Sequence, residues 1–186
     1  PDTAISYDNI GSVYSRQGDY PKALEYYFKA LSIEEKVFGL DHPDTAISYD
    51  NIGSVYSRQG DYPKALEYYF KALVIREKVF GFDHPDTAAS YNNIGLAYSD
   101  QGDYPKSLEY YFKALAIRKK MFGLNHPDTA TYYGSIGTVY FFQDNYSKAL
   151  EYYFKTVAIL ENAFGLNHPD TATYYSYIGY VYEKLK

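Results

Sequence analysis

The chain has 186 residues, with 18 Lys and Arg against 23 Asp and Glu, a net charge of −5, and no cysteine. That balance lacks the basic stripe of a nucleic-acid binder, and the missing thiols exclude disulfides and thiolate chemistry. With no apolar run of ~20 residues and no signal-peptide pattern, no nucleic-acid or membrane partner is expected, and the expected location is intracellular, in the cytoplasm.

One tetrapeptide punctuates the chain. Pro-Asp-Thr-Ala begins at Pro1, Pro43, Pro85, Pro127 and Pro169, a period of 42 residues without insertions. Self-similarity at such a period signals a solenoid or array rather than separate domains. The expected organisation is a single array: repeats at 1–42, 43–84, 85–126 and 127–168, then a partial repeat at 169–186 that supplies one capping helix. The first two repeats differ at only three places, Ser32/Val74, Glu34/Arg76 and Leu40/Phe82. The chain starts within a repeat and stops after a partial one, as an excerpt of a longer array would.

Within a repeat, the first helix opens at Pro-Asp-Thr-Ala. Proline suits the first helical turn, where its missing N–H would be unpaired anyway, and Asp complements the positive end of the helix dipole. The residue before proline is pushed toward extended backbone, so His42, His84, His126 and His168 mark the inter-repeat turns. Tyr7, Ile10, Gly11 and Tyr14 fall at i, i+3, i+4 and i+7, one helical face. The recurrence of a mid-helix glycine at this position predicts the close approach of another helix, since glycine there costs ~0.5–1 kcal/mol relative to alanine.

Gly18 and Asp19 then end one helix and start the next, as a left-handed cap and an N-cap. The second helix is predicted from about Tyr20 to Val37. Its apolar set, Ala23, Leu24, Tyr27, Ala30, Leu31 and Phe38, is wide enough to meet more than one neighbour. Glu25 and Lys29 form an i,i+4 pair worth ~0.2–0.5 kcal/mol, repeated in each full repeat. Hairpins of this kind cannot bury their apolar faces singly and must stack. The 26 Tyr and 11 Phe recur in register with the repeat, which assigns most of them to packing.

The fourth repeat departs most: Asp144-Asn145 replaces Gly-Asp, Ser147 replaces proline, and Thr156 replaces a core alanine. The last segment is aromatic, with Tyr174, Tyr177 and Tyr180. Ends that are open and complementary would permit head-to-tail association. The chemistry of an enzyme is missing from the pattern. No phosphate loop, nucleophile elbow or His-Glu-x-x-His is present. Stacked hairpins would hold successive histidines roughly 10 Å apart, too far to share a metal. No enzyme activity, cofactor or metal is expected.

At Tyr7, Ile10, Gly11, Tyr14, Gly18, Tyr20, Ala23, Tyr27 and Ala30 the pattern resembles the tetratricopeptide repeat. The longer unit, with its His-Pro-Asp linker, is similar to the repeats of kinesin light chains and nephrocystin-like arrays. The resemblance implies an all-α fold, an α-solenoid in which stacked antiparallel helical hairpins form a right-handed superhelix, first helices lining a concave groove. It also implies a non-enzymatic protein-interaction scaffold whose partner is a protein or peptide segment held in that groove. The groove residues would then be Asp8, Asn9, Ser12 and Arg16 in the first repeat, and Asp50, Asn51, Ser54 and Arg58 in the second. The third gives Asn92, Asn93, Leu96 and Asp100, the fourth Thr138 and Phe142, and the partial fifth Tyr177. The groove thus grades from polar to aromatic. Asn9, Asn51 and Asn93 form a ladder able to hydrogen-bond an extended peptide, or else they solvate the inner face. Members of the family that clamp a carboxylate tail use several basic residues, where this chain has Asp8, Ser12, Asn51 and Asn93. Two other roles are open from the pattern alone: an array that self-associates end to end, and a spacer that positions other domains.

Overall fold

The computed structural model describes residues 2–186; Pro1, read above as opening the first helix, lies outside them. Among the described residues there are nine helices and no strand: α1 (Asp2–Gln17), α2 (Tyr20–Val37), α3 (Pro43–Arg58), α4 (Tyr62–Phe80), α5 (Pro85–Gln101), α6 (Tyr104–Phe122), α7 (Pro127–Phe142), α8 (Tyr146–Phe164) and α9 (Pro169–Lys184). They fall into two compact units, the first ending at Gln101 and the second spanning Gly102–Lys186. In the first unit α1 packs on α2, α2 on α3, α3 on α4 and α4 on α5; in the second, α6 packs on α7, α7 on α8 and α8 on α9.

The inter-repeat histidines have a definite task. His42 is the N-cap of α3 in extended backbone, and its Nδ1 accepts the Asp44 N–H at 3.2 Å. Phe38 stacks on the ring with centroids 4.5 Å apart. The same cap and stack recur at His84, His126 and His168. The extended backbone that the following proline imposes is also the backbone an N-cap needs. Phe38, which the apolar periodicity assigns to the face of α2, is therefore used at the helix end instead. The linker is tied down a second time, because the buried Thr45 hydroxyl donates to the Gly39 carbonyl at 2.9 Å. Thr87, Thr129 and Thr171 make the equivalent bond.

Between the two helices of a hairpin the chain turns through Gly18 at φ 78°, and Asp19 caps α2 by accepting the Lys22 N–H at 3.3 Å. In the fourth repeat Asp144 takes the left-handed role at φ 57°, a conformation that aspartate tolerates better than most side chains. The predicted surface pairs are in place, Lys29 to Glu25 at 2.6 Å and its counterparts.

The core of each joint is built from one repeated set. Ala23, Tyr27, Leu31, Ile52 and Val55 form a buried cluster, with Tyr14, Leu24, Tyr49, Tyr56 and Tyr68 packed around it. Burying a side chain such as Ile52 contributes roughly 1.5–3 kcal/mol. The close approach predicted at the mid-helix glycine is made by an aromatic ring: a Cβ on Gly53 would stand 2.8 Å from Tyr69, and the same holds for Gly11 with Tyr27 and Gly137 with Tyr153, but not for Gly179 in α9, which has open space around it.

Candidate functional site

The side chains assigned to the groove all lie on odd-numbered helices. Asn9, Arg16, Arg58, Leu96, Asp100, Phe142 and Tyr177 are exposed, while Asp8, Ser12, Asp50, Asn51, Ser54, Asn92, Asn93 and Thr138 are half-buried. Most of them gather into clusters where one hairpin meets the next.

One cavity recurs at the far end of the first helices. In the first unit it has a volume of about 320 Å³ and is lined by Ser12, Ser15, Arg16, Tyr27, Asn51, Ser54 and Arg58. In the second unit it has a volume of about 230 Å³ and is lined by Thr138, Phe141, Phe142, Tyr153, Tyr177 and Tyr180. These linings correspond position by position, three repeats apart: Ser15 becomes Phe141, Arg16 becomes Phe142, Asn51 becomes Tyr177 and Ser54 becomes Tyr180. The polar-to-aromatic drift is thus two versions of one cavity. In the aromatic version the Tyr153 hydroxyl donates to Thr138 Oγ1 at 3.1 Å. The Phe141 and Tyr180 rings lie 5.6 Å apart, and Phe142 stacks on Tyr104 at 6.2 Å. Phe142 is nevertheless 55% exposed and Tyr180 51%, so the cavity presents a large apolar mouth.

The near end of the first helices is a second recurring place. Between α3, α4 and α5, the Arg76 guanidinium meets Asp50 Oδ2 at 2.6 Å through Nη2 and donates to Ser90 Oγ at 2.6 Å through Nη1. Asn93 Nδ2 donates to Asp50 Oδ1 at 3.5 Å. Asp50 and Asn93, both assigned to the groove, are therefore engaged with each other, and Asp50 also with Arg76. Between α1, α2 and α3 the corresponding residues are Asp8, Glu34, Ser48 and Asn51, so a carboxylate stands where the guanidinium was. Burial, and then the facing Glu34, push the Asp8 carboxyl up to about 6; burial also raises Glu34. Between α7, α8 and α9 the set is Gly134, Leu160, Tyr174 and Tyr177, and a Cβ on Gly134 would fall 1.9 Å from the Tyr174 hydroxyl. Arg118 sits beside Tyr132 in place of the hydroxyl that Arg76 meets; its guanidinium lies 3.7 Å from Asp128, with the Tyr132 ring 5.8 Å away.

Sequence reasoning did not see Glu34, Arg76 or Leu160 as site residues, because they lie on second helices. The signal was present: Glu34/Arg76 is one of only three differences between two otherwise identical repeats. Among the described residues no group of three or more His, Cys, Asp or Glu could hold a metal ion, and no helix is long and apolar enough to cross a membrane. The clusters offer hydrogen bonds, charge and apolar surface.

A family model described as the tetratricopeptide repeat matches residues 2–78, 51–120, 86–162 and 128–186. No curated protein sequence matches the chain. Among solved structures, a chain of Podosopora anserina described as a kinesin light chain with nearly identical TPR-like repeats superposes with a TM-score of 0.82 at 21% identity, covering 96% of this chain and 84% of that one. BtubC (BKLC) from P. vanneervenii gives 0.82 at 24% identity, over 93% and 69% of the two chains. The apo form of RapI gives 0.82 at 21%, over 98% and 64%. At these identities the likeness is one of fold, an α-solenoid of TPR-like hairpins.

Proposed function

The chain belongs to the tetratricopeptide repeat family, and from that premise we propose that it is a non-enzymatic scaffold that holds a segment of a partner protein along the face of its first helices. Repeats of this family generally mediate protein–protein interaction. The observation that carries the finer reading is the aromatic cavity of α7, α8 and α9. Phe142 and Tyr180, both about half exposed, converge with Phe141 and Tyr177 on one opening floored by Tyr153 and Thr138. Large exposed apolar surface with a few convergent polar atoms is how proteins present a binding site. Aromatic side chains are also the usual anchors of such contacts. An apolar side chain of the partner would enter this cavity, with Thr138 and the tyrosine hydroxyls orienting the backbone on either side.

Selection of peptides from a displayed library tests the reading. Hits are expected to bind the Phe142→Ala variant at least tenfold more weakly than the parent, the loss of about 1.4 kcal/mol that a modest anchor contributes. Asn51→Ala serves as a second control in the polar version of the cavity. Hits that bind both variants as tightly as the parent would overturn the groove assignment.

A further inference from the structure

We propose that the joint between the first two hairpins takes up a guanidinium group from the partner, so that an arginine side chain is what this region of the protein recognises. The inference rests on the scaffold reading and names the chemistry of one of its ligands. Its argument is an internal comparison. At the next joint the frame of Asp50, Ser90 and Asn93 is occupied by the guanidinium of Arg76, held at 2.6 Å from both the carboxylate and the hydroxyl. That frame is repeated at the first joint as Asp8, Ser48 and Asn51, but the residue that should fill it is Glu34. The built-in cation is gone and a further acceptor stands in its place.

The consequence is visible atom by atom. Asp8 Oδ1, Glu34 Oε2 and Ser48 Oγ are buried and form no hydrogen bond of good geometry, although Ser48 lies close enough to both carboxyls to favour their charged forms. Glu34 as a whole is only 4% exposed, and it lines a cavity of about 250 Å³ together with Asp8, Ile5, Phe38, Asp44 and Ile47. A buried polar atom without a well-formed hydrogen bond is costly, and the buried Glu34 carboxyl facing the half-buried Asp8 carboxyl across one cavity adds to that cost. A ligand that supplies donors there relieves both costs at once.

The geometry favours guanidinium among cations. Its planar fork offers five N–H donors and can serve two carboxylates and a hydroxyl together, whereas an ammonium is a point charge with three. A metal ion is disfavoured, because no set of three or more ligating side chains is present among the described residues. The exposed side chains of Ile5 and Ile47 at the cavity give the aliphatic stem of an arginine an apolar surface to lie along.

The test uses the blocked peptide Ac-Ala-Arg-Ala-NH2, its citrulline and lysine counterparts, and amide chemical shifts of the isotopically labelled protein. The arginine peptide is expected to shift resonances of α1, α2 and α3 around Asp8 and Glu34, with a Kd in the range of roughly 1 mM that a single anchor supplies. Binding of the citrulline peptide, which keeps the shape and loses the charge, should be at least tenfold weaker, and that of the lysine peptide intermediate. Glu34→Arg installs the arrangement of the second joint and should abolish binding while the protein stays folded. Glu34→Gln, which preserves shape, should weaken it about tenfold. Equal binding of arginine and citrulline, undiminished binding to Glu34→Arg, or no shifts at about 10 mM peptide, well above that Kd, would each overturn the proposal. If the arginine probe fails while library peptides still depend on Phe142, the guanidinium site falls and the scaffold reading stands. If the library fails as well, the scaffold reading falls with it.

Discussion

The first and the last joints of the chain use the same four backbone positions for opposite purposes. Asp8, Glu34, Ser48 and Asn51 make the first joint polar and leave three buried oxygens without a well-formed hydrogen bond. Gly134, Leu160, Tyr174 and Tyr177 make the last joint apolar, with the Tyr174 hydroxyl in the space that the missing Gly134 Cβ leaves. The hairpins on either side are built alike in both places: Ile52 and its counterpart Ile178 are buried, and Tyr27 and Tyr153 cover the mid-helix glycines. What differs is what lies between hairpins. An apolar joint is held by buried area, which is strong and indifferent to partners. A polar joint with orphaned acceptors is weaker and selective, because buried polar groups reward only a ligand that satisfies them. A repeat protein can therefore keep its fold constant and vary recognition from joint to joint.

The most severe way to break this contrast is to make the last joint resemble the first. Leu160 is 6% exposed, and Leu160→Glu would place an unpaired carboxylate among Tyr174, Tyr177 and Gly134. Its expected cost is about 3–5 kcal/mol, read as a lowered urea midpoint. A loss below about 1 kcal/mol would show that this joint is wetter than described.

A milder change tests whether Gly134 and Tyr174 act as a pair. Gly134→Ala forces the tyrosine hydroxyl out of its place, since the new Cβ would lie 1.9 Å from it. Overpacking of this kind costs about 1–3 kcal/mol, more than the ~0.5–1 kcal/mol that alanine returns through helix propensity. Introducing Tyr174→Ser, the residue of the first joint, should make the Gly134 substitution harmless. The double-mutant cycle should then show a coupling of about 1 kcal/mol or more. Additive effects would separate the two residues.

Much of this architecture is legible in the residues themselves. The period, the Gly-Asp turns, the apolar faces and the drift from Asp50 through Asn92 to Gly134 can all be read from the chain compared with itself. Three things cannot. His42 as a helix cap depends on the side chain reaching back to the Asp44 N–H, and histidine is not among the usual capping residues. Phe38 has the right spacing for the core and is used on the His42 ring instead. The joint sets combine residues from three helices, so Asp50, Arg76 and Ser90 become neighbours only after stacking. Periodicity assigns a residue to a face of its own helix, and it does not say which side chain of another helix will meet it there. The Asn ladder shows the same limit: Asn93 has a ladder's spacing, yet its amide is turned to Asp50.

The gentlest test of the contrast is pH. Burial first and Glu34 second push the Asp8 carboxyl up to about 6 from an ordinary 3.8, while Asn51 and Ser48 oppose the shift. Burial raises Glu34, Asp44 adds to the effect, and His42 opposes it. A carboxyl whose folded value lies above its unfolded value binds its proton more tightly in the folded protein. Its contribution is then complete below about pH 4 and is lost as the pH climbs through about 6. The urea midpoint of the parent protein should therefore fall between about pH 4 and pH 7 relative to that of Asp8→Asn, which cannot ionise there. The effect should be small, because Asp8 is only half-buried and solvent screens what remains. Glu34→Arg should lessen the trend without reversing it: a guanidinium beside Asp8 favours the ionised form, but at the second joint burial still holds the Asp50 carboxyl above its ordinary value beside Arg76. Parallel curves for the parent and Asp8→Asn would mean that neither burial nor Glu34 disfavours the charged Asp8 carboxyl, and that the polar joint differs from the apolar one in composition alone.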